Sequence, residues 1–426
     1  MRAAFYESDI TPPLGCFMTG HYSKLLSEDV FEKIYAKALV VESDGEIAAI
    51  VCVDVCMLPI GIHEKVTKRV YEYTGIESNR ICITCNHTHK GAPVSDSPEI
   101  NCFADGAYTD VFMRLVADTI ILAFKRLKDG VEISFGKENV PGIAFCRNYV
   151  TKEGKYISWG VGRDDLVGTL GEVNDELVVL TFYSDGKPFG AVVNFALHQD
   201  SAQGAIGYTG DYSSIISQKL KESYGQDFVS LFLLGACGDI NHVDIHNSDT
   251  LTPFYHRKIG NILYEHINKL ISVSLQRIDG SVMAVKEEIQ IEKRIADNEY
   301  TINKTIELLR NGGKIMQARN LIFYNATNED KYAKLYIQCI KIGDLCIYAL
   351  PGEIYTKIGD DIKQASTFDK NIVVENCNTY CGYIPTKNAF DECSELYESM
   401  LCNHSCLIAE ACDIITKKAL ELSQKL

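Results

Sequence analysis

The chain has 426 residues, 46% hydrophobic and 23% charged, enough to bury a sizeable core as one large domain or two closely packed ones. Its formal net charge of −15 excludes nucleic acid and argues against anionic membrane surfaces as main partners. Met1-Arg2-Ala3-Ala4-Phe5-Tyr6-Glu7 has no signal-peptide apolar segment, and the longest apolar run, 47–62, carries Asp54 and Pro59, so the expectation is a cytoplasmic protein without stable membrane insertion.

Residues 36–42 and 46–56 read as a hairpin around Ser43-Asp44-Gly45. Residues 62–73 read as a helix stopped by Gly75. A strand over 80–85 runs into Asn86-His87-Thr88-His89. Residues 110–128 have a helical period, with Val111, Leu115, Ile120 and Leu122 inward and Arg114, Asp118, Lys125 and Lys128 outward. A second hairpin, 176–184 and 189–197 across Asp185-Gly186-Lys187-Pro188, ends on His198. Helices follow over 212–223 and 255–270, and between them the strand 228–234 ends on Cys237-Gly238-Asp239.

Residues 282–292 read as a strand and 298–309 as an exposed helix; the polar stretch 292–330 is the candidate insertion or lid. A third hairpin, 334–342 and 345–350 across Gly343-Asp344, ends on Pro351-Gly352-Glu353. The strand 371–377 runs into Tyr380 and Tyr383, and a helix over 405–423 closes the chain. Hairpins mixed with crossover helices predict a mixed α/β fold, with mixed or stacked sheets flanked by helices. No linker, internal repeat or low-complexity tract divides the chain, so residues 1–426 read as a single domain.

Five strands thus end on residues suited to metal binding or proton transfer. In open α/β sheets ligands collect beyond the carboxyl ends of strands, which implies one composite site holding a metal. His87 and His89 leave their strand on one side, and imidazole is a common zinc ligand and acid/base. His198 alone reads as a core histidine. Glu353 suits a helix start, and equally the carboxylate of a His2Glu zinc set that leaves room for water. Two tyrosines spaced around Gly382 can aim phenols into a pocket.

Other patterns carry less. His242-Val243-Asp244-Ile245-His246 places alternate residues on one face but has no strand platform. Among 16 cysteines, Cys82 and Cys85 diverge on a strand, while Cys52 and Cys56 lie too far apart for one ion. Reduced, packed thiols are the expectation. The chain has no GxSxG elbow, P-loop or HExxH, and Gly160-Val161-Gly162 lacks the third glycine of a dinucleotide loop.

Six elements resemble the neutral/alkaline ceramidase family in order. They are Ser8-Asp9-Ile10-Thr11-Pro12, Asn86-His87-Thr88-His89-Lys90-Gly91-Ala92-Pro93, Phe145-Cys146-Arg147-Asn148, Phe195-Ala196-Leu197-His198, Leu350-Pro351-Gly352-Glu353, and 378–386 with the later Tyr397-Glu398. The resemblance covers the family's catalytic domain and leaves no room for its C-terminal immunoglobulin-like domain. It implies a Zn2+ ion held by His87, His198, Glu353 and Tyr383, with His89 beside the activated water and Arg147 and Tyr397 steadying the oxyanion. It implies an amidase acting on a small-molecule N-acyl amide, ceramide-like or smaller. One departure stands out: where the family has a serine, this chain has Asn241 in Gly238-Asp239-Ile240-Asn241. An asparagine cannot form an acyl-enzyme, so direct attack by a zinc-activated water is expected. With no membrane-binding helix evident, a soluble N-acyl compound is the expected substrate. A non-catalytic binding protein on the same fold, and a metal-dependent hydrolase of an ester or phosphorus centre, are the alternatives.

Overall fold

The computed structural model describes residues 1–21, 24–91, 93–97, 102–204, 206–273, 276–310 and 314–426. Ala92 of the His-Thr-His segment and residues 311–313 of the stretch 292–330 lie outside the described residues.

Three mixed sheets carry the fold. The first has strands β1 (Arg2–Asp9), β2 (Tyr35–Ser43), β3 (Glu46–Val53) and β4 (Ile81–Cys85), in that order. The second has β5 (Glu132–Asn139), β6 (Glu176–Ser184), β7 (Lys187–Phe195) and β8 (Val229–Leu234), with the short strand Gln276–Arg277 on its edge. The third has β9 (Val282–Glu292), β10 (Tyr332–Ile342), β11 (Leu345–Ala349) and β12 (Lys370–Val374).

The three sheets repeat one topology. In each, a strand pairs antiparallel with a hairpin, and a helix then crosses to a strand lying parallel to the hairpin's second arm. The crossover helices are α1 (Ile60–Thr74), α3 (Tyr212–Tyr224) and α7 (Thr356–Ala365). After each parallel strand comes another helix: α2 (Gly106–Lys125), α4 (His256–Val273) and α8 (Ala411–Ser423). The expectation of no internal repeat is therefore corrected. The repeat lives in connectivity, and any apolar residue that fits a pleat can fill it.

Strand alternation places the core. Leu39 and Val41, Leu180 and Phe182, and Ile347 and Ala349 all point into one central cluster shared by the three sheets. Their neighbours face outward onto helices: Ala38 and Val40 in the first unit, Leu177 and Val179 in the second, Cys346 and Tyr348 in the third. Strands buried on both faces read as continuous apolar runs, which is why residues 38–41 and 47–53 are unbroken apolar stretches. The same geometry separates the CxxC pair, with Cys82 in the central cluster and Cys85 on the helix side.

Two helix readings need correction. In α2 the buried stripe is Phe112, Met113, Val116, Ile120 and Ile121, while Val111 is exposed. The apolar residues there are too dense for the period alone to fix its phase. The closing helix begins at Ala411; residues 402–405 instead form a bridge that turns the chain past Gly382. Between β9 and β10 the stretch 292–330 holds two helices, α5 (Asn298–Arg310) and α6 (Ile315–Thr327), the second unforeseen.

Candidate metal centre

The carboxyl ends of the central strands meet at one place. Past β4, the Asn86 N–H bonds to the Val53 carbonyl at 3.1 Å and the His87 N–H to the Val55 carbonyl at 3.1 Å, so the turn is stitched to the end of β3. His87 takes a left-handed backbone at φ 65°, an uncommon conformation for a side chain of its size. Its Nδ1 lies 2.6 Å from the Cys56 carbonyl. A carbonyl only accepts, so Nδ1 carries a proton and Nε2 is the ring nitrogen that faces the cluster. That Nε2 is 3.3 Å from Glu353 Oε2.

Glu353 is placed by its turn. Gly352 has φ 67°, and a Cβ there would overlap the Gly382 carbonyl. Glu353 then pairs with Tyr383 in a short parallel ribbon. The Tyr380 hydroxyl donates to Glu353 Oε1 at 2.7 Å, while Oε2 is buried with no aligned hydrogen bond. Burial alone would raise the Glu353 pKa, but His87 and then His198 outweigh it and hold the carboxyl well below its usual range. Burial would lower the His87 pKa, yet Cys56 and Glu353 drive it well above the ordinary imidazole value. The buried carboxylate thus requires one positive charge beside it, either a proton or a cation.

His198 follows β7 and is fully buried. Burial, then His87 and Arg147, push its pKa down to about 3, so it presents a neutral imidazole. Its Nε2 is 3.1 Å from His89 Nε2, and its Nδ1 has no hydrogen-bond partner. The donor atoms of His87, His198 and Glu353 lie within 4.8 Å of one another. A zinc ion about 2.1 Å from each would need them about 3–4 Å apart, and two neutral imidazoles with a carboxylate suit that ion. A second group, Cys56, His87 and His89, is equally close. His89 is held neutral by burial and by the neighbouring His198 and His87.

The remaining expected residues divide. Tyr383 borders the cluster, and its hydroxyl accepts from Arg147 at 3.1 Å. Arg147 is buried behind it, also donating to the Gly238 carbonyl at 2.9 Å and lying 2.8 Å from Glu398 Oε1. That last pair is a close ion pair without hydrogen-bond alignment, since both atoms lack an aligned partner. Arg147 therefore reaches the site through the Tyr383 hydroxyl. Tyr397 lines the open cleft beside Tyr383, stacked on His404 with centroids 4.9 Å apart. The cleft holds about 110 Å³ and is walled by His21, Met57, His89, Tyr397 and His404, and by Met316 and Asn320 of α6.

Several of these residues were missed. His404 stands one residue ahead of the helix expected over 405–423 and belongs to none of the expected strand ends. Its neighbour Gly382, which the chain must pass closely, was the available signal. Glu375 lies beyond β12 and accepts from the Cys237 and Ile354 N–H groups, tying the second unit to the third; burial and Glu353 raise its pKa to about 8. His242 is buried against Asp200, with Nδ1 to Oδ1 at 3.1 Å, whereas His246 lies on the exposed loop, so the HxDxH run is not one site. Asn241 is buried in a short strand pairing with Phe145–Cys146, and its Oδ1 accepts from the Val243 N–H.

No family model matches the chain, and no curated protein matches it by sequence. Solved structures do. Neutral ceramidase from Pseudomonas aeruginosa superposes with a TM-score of 0.78 at 16% identity, over 100% of this chain and 75% of that one. A ceramidase complexed with C2 gives 0.77 at 15% identity, over 99% and 74%. The expected mixed α/β architecture and the neutral ceramidase-like fold are both borne out.

Proposed function

We propose that this chain is a zinc-dependent amide hydrolase that cleaves an N-acyl bond. The observation that carries the reading is the convergence of His87, His198 and Glu353 at the mouths of three different sheets, with the buried Glu353 Oε2 lacking an aligned hydrogen bond. His87, His198 and Glu353 would hold the ion, with Tyr383 completing the set. When bound, the ion supplies Lewis-acid polarisation of the amide carbonyl and a water acidified towards a pKa of about 7.

The chain's own residues do the rest. His89, neutral and facing the cleft, takes a proton from the attacking water and returns it to the leaving amine. Tyr397 donates to the developing oxyanion, and Arg147 orients the Tyr383 phenol by donating to its oxygen. Asn241 offers no nucleophilic oxygen, so no acyl-enzyme forms. The ceramide activity named for the structural neighbours makes an N-acyl sphingoid amide the first substrate to try. The single domain over 1–426, with 292–330 as a lid on its cleft, belongs to the same proposal.

The test is metal analysis of the purified protein beside hydrolysis of N-acyl amides of graded chain length. About one zinc per chain, with turnover tracking zinc content, supports the reading. Full zinc retention in both His87→Ala and Glu353→Ala overturns the ligand set. An acyl adduct on any side chain, seen by mass spectrometry of enzyme quenched during turnover, overturns direct attack by water.

A further inference from the structure

One segment outside the expected strand ends supports the cleft from behind. A small hairpin, Asn148–Thr151 with Tyr156–Ser158, starts one residue after Arg147. Its second arm also pairs with Ser394–Glu395, which leads the chain into Tyr397 and Glu398. Asn148 and Ser158 face each other in register, so Ser158 sits beside the root of Arg147.

Ser158 bonds in two directions. Its Oγ accepts from the Tyr397 N–H at 2.9 Å and donates to Glu398 Oε2 at 2.6 Å. Glu398 is fully buried, and its other oxygen is the one 2.8 Å from Arg147 Nε. One hydroxyl therefore ties the backbone of Tyr397 to the carboxylate that anchors Arg147. It can do so because a hydroxyl donates and accepts at once.

Trp159, the next residue, is the chain's only tryptophan. Its backbone is left-handed at φ 62°, a costly conformation for a bulky side chain. Its N–H bonds to the Arg147 carbonyl at 2.8 Å, which holds that conformation in place. The turn lays the indole against the Tyr397 ring, with centroids 5.1 Å and planes 46° apart, while 40% of the residue stays exposed. Tyr397 also meets His404 face on and Tyr383 at its edge, the latter at 5.8 Å. Of these three neighbours only Trp159 has a left-handed backbone. An exposed ring held in a costly conformation points to a use at the cleft rather than in the core.

We propose that Ser158 and Trp159 are positioning residues: together they fix the Tyr397 ring at the cleft and the Arg147 guanidinium behind Tyr383. This rests on the amidase reading, in which Tyr397 meets the oxyanion and Arg147 orients Tyr383.

The experiment is a double-mutant cycle on zinc-loaded protein with a soluble N-acyl amide. A displacement of about 1 Å can cost a catalytic group about 10²-fold. Trp159→Ala should therefore lower kcat about 10–10²-fold with KM within about twofold, and Trp159→Phe should recover most of the loss. In a Tyr397→Phe background the same Trp159→Ala change should cost less than about twofold, because the hydroxyl it places is gone. Ser158→Ala should lower kcat as well, and should remain costly in that background because Ser158 also holds Glu398. Equal losses for Trp159→Ala in the two backgrounds overturn the proposal, as does wild-type kcat in Trp159→Ala or Ser158→Ala. Thermal unfolding checks each variant, and Trp159→Leu takes the place of Trp159→Ala in the cycle if the latter does not fold. With a single tryptophan, emission reads the ring contact without turnover. Tyr397→Ala should shift it to longer wavelength, and an unchanged spectrum overturns the contact and the proposal with it. Wild-type protein that turns over no amide refutes the amidase reading and the catalytic purpose of the clasp, while the emission arm still decides whether the clasp exists.

Discussion

His89 and Asp239 make opposite demands on their surroundings. His89 is kept neutral at the cleft by burial and by the neighbouring His198 and His87, so it offers a free ring-nitrogen lone pair there. His89→Ala should keep the metal and lose about 10²–10⁴ in turnover, the usual size of one acid/base group. Loss of metal in the same variant would make His89 a ligand instead. Asp239 is buried and accepts from the Thr356 N–H and hydroxyl, and burial raises its pKa to about 6. A carboxyl raised on folding from an unfolded value of about 3.9 favours the fold below that value, and this stability is lost as pH rises through about 6. The two-unit difference is worth about 3 kcal/mol. Asp239→Asn should therefore gain stability over wild type progressively from pH 4 to 6, with a constant gap above. Thermal unfolding against pH reads this, and a pH-independent gap would refute it.

The ribbon joining Glu353 to Tyr383 is the element on which the site most depends. It is two residues on each side, so its geometry comes from the tight turns around it. Gly382 has φ 77°, and a Cβ there would overlap the His404 carbonyl. Gly382→Ala should cost about 3 kcal/mol or more, through strain and displacement of the 402–405 bridge. Because Tyr383 is next in sequence and Glu353 is its partner across the ribbon, metal affinity should fall as well. Isothermal titration of zinc into the apo variant checks this; wild-type affinity would show that the ribbon is not what positions the ligands. Gly238→Ala offers a parallel case, since its Cβ would lie 2.7 Å from the Glu353 carbonyl.

Across the whole molecule, what the sequence disclosed was local. Strand ends with their punctuation placed His87, His198 and Glu353 together because each lies within a few residues of its strand. What stayed hidden was distant or diffuse. Arg147 meets Glu398 across some 250 residues of chain, and three sheets share a topology without sharing a motif. Metal removal should consequently loosen the docking of units more than the strands inside them. A protein saturated about a thousandfold over its dissociation constant should lose about 4 kcal/mol on chelation, read as a fall in melting temperature. No change on chelation would separate the ion from the fold. The three-unit arrangement also fixes when an ion can be captured. The Asn378 side chain accepts from the Ile83 N–H at 3.0 Å, joining the last unit to the first across 295 positions of the chain. On the ribosome, a nascent chain that has emerged only as far as residue 300 has His87 and His198 but no Glu353. On the proposed ligand set metallation would be a late event of synthesis, coincident with closure of the third unit; metal held by nascent chains stalled before residue 353 would instead assign it to Cys56, His87 and His89.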